Sequence, residues 1–216
     1  MQSHIKKPKK NYLKKTYVNR RILLETLKSF EDITNKIGSL HAQGFDRIHL
    51  PGGTSKDGKS FSGGTVDRFN PLTKNVEFLG LPYNSNFHLK GESGHNKKSG
   101  ESPEESFIRE VMEETGLHIT LNDLEPLFEK KIPDNRPGRE GEYHTKYFYL
   151  VRNFSGNLFT FDGPNPIDGE TAAPLWIPAQ LFVKVVFGGH LKAVKLAIEK
   201  LSMENREYAI ALMNIL

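Results

Sequence analysis

Apolar residues between positions 19 and 42 recur at roughly helical spacing: Ile22, Leu23, Leu27, Ile33, Ile37 and Leu40, with a break near Phe30-Glu31-Asp32. The pattern predicts a helix that Gly44 would stop. Residues 47–50 read as a short strand, and the stretch 51–64, rich in Gly, Ser and Lys, reads as a loop. Residues 65–69 and 76–81 predict two strands joined by a turn at Asn70-Pro71. Further strands are expected at 126–132, 146–151 and 172–177. The second of these carries Tyr147, Phe148 and Tyr149, which alternate in direction, so that some of them must be core. A polar loop with two prolines runs from 133 to 141, and a Gly- and Pro-bearing loop from 162 to 169. From 190 to 216, Leu191, Val194, Ile198 and Leu201 fall on one side of a closing helix. Strands, a helix, more strands and a final helix make an α+β sandwich whose sheet topology the pattern leaves open.

One stretch stands out chemically. Ser102 is a good N-cap, Pro103 suits the first helical position, Glu104 and Glu105 lie where the helix dipole favours acids, and Gly116 can end the helix in a left-handed conformation. Within it, Ile108, Val111 and Met112 share a side and are expected to pack inward. Glu110, Glu113 and Glu114 are related by i+3 and i+4 and crowd together on the other side. Three carboxylates on one patch repel one another unless a cation sits among them. Hard oxygen ligands with room for water and phosphate suit Mg2+ or Mn2+. The competing reading is a solvated acidic face.

Composition narrows the setting. At 37% hydrophobic and 26% charged residues the chain reads as soluble and globular, long enough at 216 residues for one domain plus an extension. No apolar run approaches the roughly 20 residues needed to span a membrane, and no secretory leader is expected at the N-terminus. The absence of cysteine excludes disulfides and thiolate metal sites and is compatible with a cytoplasmic location. The net charge of +4 is unevenly spread. Residues 1–21 hold eight bases (Lys6, Lys7, Lys9, Lys10, Lys14, Lys15, Arg20 and Arg21) and no acid, whereas the remainder has 22 bases against 26 acids. This basic arm suits contact with RNA or another polyanion, or is a solvated tail. Tyr12 and Tyr17 in it could stack on bases.

Glu101, seven residues, then Arg109-Glu110-Val111-x-Glu113-Glu114-x-Gly116-Leu117 resembles the Nudix box of the Nudix hydrolases. The resemblance implies an α/β/α sandwich with a mixed sheet over residues 46–216, preceded at 1–45 by the basic arm and a helical extension. It implies a metal-dependent hydrolase that cleaves a phosphoanhydride in a nucleoside diphosphate linked to a further group. A Nudix-like domain that binds a nucleotide or RNA without turnover is the alternative. A soluble homodimer is compatible with both. Carried over by position, Glu110, Glu113 and Glu114 are the expected ligands of Mg2+ or Mn2+, Arg109 holds the glutamates, and Glu101 supports the metal shell or its loop. The family's first glycine falls on His95, with Gly94 and Gly91 nearby, so residues 89–96 resemble its Pro-Gly-Gly or Lys-Gly loop with an insertion. Pro51-Gly52-Gly53 spells that loop too, but lies so much earlier in the chain that sequence order argues for coincidence.

Several other residues are candidates. In some family members a further glutamate lies six residues before a tryptophan; here Trp176 places it at Glu170, as a general base. Glu140 and Glu142 are the competitors. His144 could touch a phosphate or be a strand-edge histidine. Tyr147 could stack on a base, and Lys90 of the Lys-Gly loop is a further substrate-binding candidate. Pro133 lies about where ADP-ribose-cleaving members carry a proline. Finally, Gly53-Thr54-Ser55-Lys56-Asp57-Gly58-Lys59-Ser60 fits a phosphate loop in full, but Phe61-Ser62-Gly63-Gly64 would not start the helix that such a loop needs, and a polar loop is expected.

Overall fold

The computed structural model describes residues 11–55, 59–86, 100–134, 141–161, 163–165, 169–213 and 215, with side chains from residue 22 onward. The chain runs α1 (Asn11–Ala42), β1 (Arg47–His49), β2 (Gly52–Thr54), β3 (Ser60–Asn70), β4 (Asn75–Tyr83), α2 (Pro103–Thr115), β5 (Leu117–His118), β6 (Leu124–Pro133), β7 (Tyr143–Val151), β8 (Ser155–Gly156), β9 (Leu175–Pro178), α3 (Ala179–Val185), α4 (Leu191–Glu204) and α5 (Arg206–Leu212). The main sheet has the order β1-β4-β3-β7-β6, with β2 added to β3 and β9 to β4. β3 and β7 are parallel and the other pairs antiparallel, so the sheet is mixed as expected. β5 and β8 form a separate two-stranded ribbon.

Strand alternation divides the core in two. On β7, Phe148 and Leu150 point to one face, where they join Phe78, Ile177, Phe182, Val194 and Ile198 under α3 and α4. Tyr149 and Val151 point to the other, where they join Val66, Leu79, Phe107, Val111 and Leu117 under α2. β4 is buried along its whole length because it serves both cores. The N-terminal helix takes part as well, through buried Ile37 and Leu40. The result is an α+β sandwich with helices on both faces of a mixed sheet.

Two sequence expectations change, and one helix joins the predicted elements. The stretch 51–64 is not a loop: β2 and the start of β3 pair there, Gly52 opposite Gly63 and Gly53 opposite Ser62. Glycine permits the close approach, since a Cβ on Gly52 would lie 2.2 Å from the Ser62 carbonyl oxygen. The same pairing disposes of the phosphate-loop reading, because β3 rather than a helix follows Ser60. The closing helix is broken at Asn205, which ends α4 and caps α5 by accepting from the Glu207 N–H at 2.8 Å. Seven-residue α3, too short to show a helical period, is held by Phe182, whose ring packs where Gly80 of β4 has no side chain.

Candidate active site

Helix α2 is built as its sequence predicts. Ser102 Oγ accepts from the Glu105 N–H at 3.2 Å, and Glu105 accepts from the Ser102 N–H at 2.8 Å, a reciprocal cap. Gly116 ends the helix at φ 78°, in the left-handed region. The face that packs differs from the expected one. Phe107 and Val111 are fully buried, whereas Met112 is 38% exposed. Phe107 can approach the sheet because Gly64 lies beneath it; a Cβ there would sit 2.6 Å from the ring. Tyr149 adds a tether, its hydroxyl donating to Glu104 at 2.9 Å. Burial first, and then this bond, raise the pKa of that hydroxyl.

Docked in this way, α2 turns its carboxylates toward the β2 edge of the sheet. Arg109 gathers three of them. Its Nε donates to Glu101 at 2.8 Å, a second nitrogen reaches the other Glu101 oxygen at 3.2 Å, and its remaining amino group reaches Glu110 at 2.7 Å and Glu113 at 2.9 Å. Burial works against the Arg109 charge, but the hydrogen bond to Glu101 and the Glu110 carboxylate outweigh it and its pKa is raised. Glu114 faces the other way, into the protein. It is 9% exposed and accepts from the backbone N–H of Gly52 at 2.8 Å. Gly53 is pressed against Glu110, since a Cβ on it would lie 2.4 Å from the carboxylate carbon.

Pro51-Gly52-Gly53 therefore meets the box glutamates directly. Its spelling was the signal, and sequence order hid it; the pairing of β2 with β3 is what brings the segment back. Cross-strand register adds Ser62, opposite Gly53, then Tyr147 and Glu129, so a row runs across β2, β3, β7 and β6 on the α2 side. The hydroxyls of Ser62 and, on α2 itself, Ser106 are buried without a hydrogen-bond partner among the described residues. Nothing in the sequence singles out either serine.

The other candidates are more scattered. His144 is an odd number of residues from Tyr147, and so takes the sheet face opposite α2. Glu170 lies in the loop before β9, and its carbonyl accepts from the Asn84 N–H at 2.9 Å, which pins that loop to the end of β4. Trp176 on β9 is only partly buried, with the Arg68 guanidinium 4.5 Å from its ring centre. The Glu142 carbonyl accepts from the Asp134 N–H at 3.0 Å, beside the end of β6 and the start of β7. Pro133 ends β6 opposite Tyr143. Lys90, Glu140 and the His95 loop lie outside the described residues.

The donor set of Glu110, Glu113 and Glu114 fits a hard divalent cation by its chemistry. Among the described residues no group of three acidic or histidine side chains converges as a metal cage. The geometry gives the reason: Arg109 draws Glu110 and Glu113 to itself, while Gly52 holds Glu114.

A family model described as the NUDIX domain matches residues 94–192. Over those residues, just under half of its length, the chain is similar to the Nudix family. Among solved structures, it is similar to a MutT/nudix family protein from Enterococcus faecalis, at 15% identity and TM-score 0.44, over 72% of this chain and 67% of that one. It is similar also to the NUDIX domain of Shewanella oneidensis NrtR, solved with ADP ribose, at 13% identity and TM-score 0.45, over 66% and 87%. A C. elegans Ap4A hydrolase aligns at 16% identity and TM-score 0.43, over 67% and 98%. At such scores these likenesses are loose. No curated protein matches the chain significantly.

Proposed function

We propose that the protein is a metal-dependent hydrolase that cleaves a phosphoanhydride bond in a nucleoside diphosphate carrying a further group. The observation that supports this most is the placement of Glu110 and Glu114 on successive turns of α2, both against the bare backbone of Gly52-Gly53. A glycine edge leaves room for phosphate oxygens beside carboxylates, which side chains would fill. Glu110, Glu113 and Glu114 are the residues that would hold Mg2+ or Mn2+, which when bound supplies charge neutralisation and an activated water. Arg109 keeps the cluster together and, with Glu101, fixes the approach to α2. Tyr147, in the same sheet row as Gly53, is proposed to stack on a base. Lys90 remains a proposal for phosphate contact, whereas His144, on the sheet face opposite α2, is not proposed for this site. Glu170 is the proposed general base, on a loop anchored at its base by β4. The basic arm is proposed to hold RNA when the substrate is an RNA end, and a soluble cytoplasmic setting, with a domain boundary near residue 45, accompanies the reading.

The test is a hydrolysis screen over nucleotides, nucleotide sugars, dinucleoside polyphosphates and capped RNA with Mg2+ and Mn2+, run on the wild type and on Glu114→Gln. Gln keeps the shape of Glu and removes its charge. Turnover of the best substrate is expected to fall at least about a hundredfold with the fold retained. Undiminished turnover in Glu114→Gln, or the absence of hydrolysis of any substrate by the wild type, refutes the reading.

A further inference from the structure

Helix α1 carries two apolar faces, and the domain covers one of them. Ile33, Ile37 and Leu40 pack into the core, and Thr26 lies on the same side, its hydroxyl donating to the Thr73 carbonyl at 3.1 Å. Leu23, Leu24 and Leu27 lie off that side and are each more than half exposed. Three such leucines within five residues make an apolar patch that folding of one chain leaves in water. Further along the helix the same stripe continues through Thr34 and Gly38, both exposed. Positions 23, 27, 34 and 38 fall within about 60° of one another at 3.6 residues per turn. A Cβ on Gly38 would meet nothing within 4 Å. The stripe is therefore raised by leucines at one end and shallow at the other.

Such a gradient is self-complementary about a twofold axis. When two copies of α1 run antiparallel about a point near residue 30, Leu23 of each copy meets Gly38 of the other, and Leu27 meets Thr34. Charge agrees with shape. Lys28 and Glu31, both exposed on the flank of the stripe, make no ion pair among the described residues. The same alignment sets Lys28 of each copy beside Glu31 of the other. Parallel pairing would instead bring residues 1–21, with eight bases and no acid, against the same residues of the second copy. The antiparallel arrangement sends the two arms to opposite ends. An anionic bilayer could also take the leucines, but Glu31 would be repelled by it and open Gly38 would add nothing.

We propose that the exposed stripe of α1 is an interface for a second copy of this chain, packed antiparallel about a dyad near residue 30. It is independent of any turnover at α2. One helix pair covers less than the roughly 800 Å² per partner of a standard interface, so the dimer is expected to be weak and reversible.

Sedimentation velocity on the full chain, from about 1 to 200 μM, reads the association. The wild type should pass from monomer to dimer across this range. Leu23→Gln with Leu27→Gln should weaken the dimer at least about tenfold while the melting temperature holds, since both positions are exposed. Gly38→Met fills the shallow end without meeting anything in its own chain and should weaken it likewise. Lys28→Glu should weaken it too, and Lys28→Glu with Glu31→Lys in one chain should restore it, a rescue that only pairing between copies provides. The chain has no cysteine, so disulfide trapping reads the direction. A mixture of Leu23→Cys and Gly38→Cys proteins should cross-link, and Leu23→Cys alone should not. Monomer at every concentration overturns the proposal; if the leucines then carry the protein onto phosphatidylserine–phosphatidylcholine vesicles, the face belongs to a membrane. A dimer indifferent to the leucine and Gly38 variants, or without the charge-swap rescue, overturns it as well. So does cross-linking of Leu23→Cys alone, which would make the pair parallel.

Discussion

Arg109 and Arg152 both sit among carboxylates, one on α2 and the other just past the end of β7. Arg152 pairs with Glu125 of β6 and, at 2.7 Å, with Glu204 at the end of α4, and Lys200 of α4 pairs with Glu125 in turn. These acids come from different elements, so the network ties an edge strand to a helix. Close by, Asp67, Arg152, Glu204, Asn205 and Tyr208 line a cavity of about 300 Å³. Burial pushes the Asp67 carboxyl up to about 6, against the hydrogen bond from Tyr208 that would lower it. Arg109 is different. Its acids are its own chain neighbours: Glu110 at i+1, Glu113 at i+4 and Glu101 in the lead-in to the same helix. Among the described residues every acid that Arg109 pairs with lies on α2 or in its lead-in, so these ion pairs tie no second element to the helix. Their cost in side-chain entropy and desolvation is explained by what they present at the Gly52-Gly53 edge. Similar residues thus form a strut in one place and the proposed site in the other, and what separates them is how far apart in the chain the partners lie.

Removing each arginine tests the distinction. Arg109→Met should lower turnover at least about a hundredfold, because the carboxylates lose their common anchor. The fall in stability should be modest, since no other element is released. A large drop in melting temperature with turnover intact would reverse the roles drawn here. Next in size is Gly64→Ala. A methyl group there meets the Tyr149 carbonyl oxygen at 2.5 Å and the Phe107 ring at 2.6 Å. It should destabilise by about 2–3 kcal/mol in denaturant titration and reduce turnover by tilting α2 off the sheet. An unchanged midpoint would mean that Phe107 does not seat the helix.

Arg152→Met should do the converse of Arg109→Met. Unfolding free energy should fall by about 1–2 kcal/mol, discounted because the guanidinium is 27% exposed, while hydrolysis stays within about twofold of wild type. Loss of activity at full stability would show that the strut reaches the site. The smallest effect concerns Asp67. Its pKa is raised on folding, from 3.8 to about 6, so the native state keeps a proton that the unfolded chain releases. Stability should therefore fall as pH rises from about 4 to 6 and stay lower above that, by on the order of 1–2 kcal/mol with water reaching the cavity. Asp67→Asn should flatten this part of the curve. An identical pH profile in wild type and variant would show that Asp67 titrates normally.

Much of the site was legible because its logic is local. The cap at Ser102, the stop at Gly116 and the crowding of Glu110 and Glu113 follow from helix geometry, which a single stretch of chain specifies. Arg109 was read as their organiser through the resemblance to the box; helix geometry by itself accounts only for its reach to Glu113 at i+4. Box spacing alone also pointed to the family and, through it, to the sandwich.

What the sequence could not decide depends on pairing at a distance. Glycine-rich segments have little strand propensity, so 51–64 reads as a loop until β7 and α2 supply partners for it. Only then do Gly52 and Gly53 come to lie against Glu114 and Glu110, and Ser62 beside them. The buried side of α2 was misjudged for a related reason: Met112 and Phe107 are both apolar, and Gly64 on a distant strand decides which of them packs. His144 and Tyr147 looked equivalent as neighbours, but the two-residue period of β7 puts them on opposite faces of the sheet.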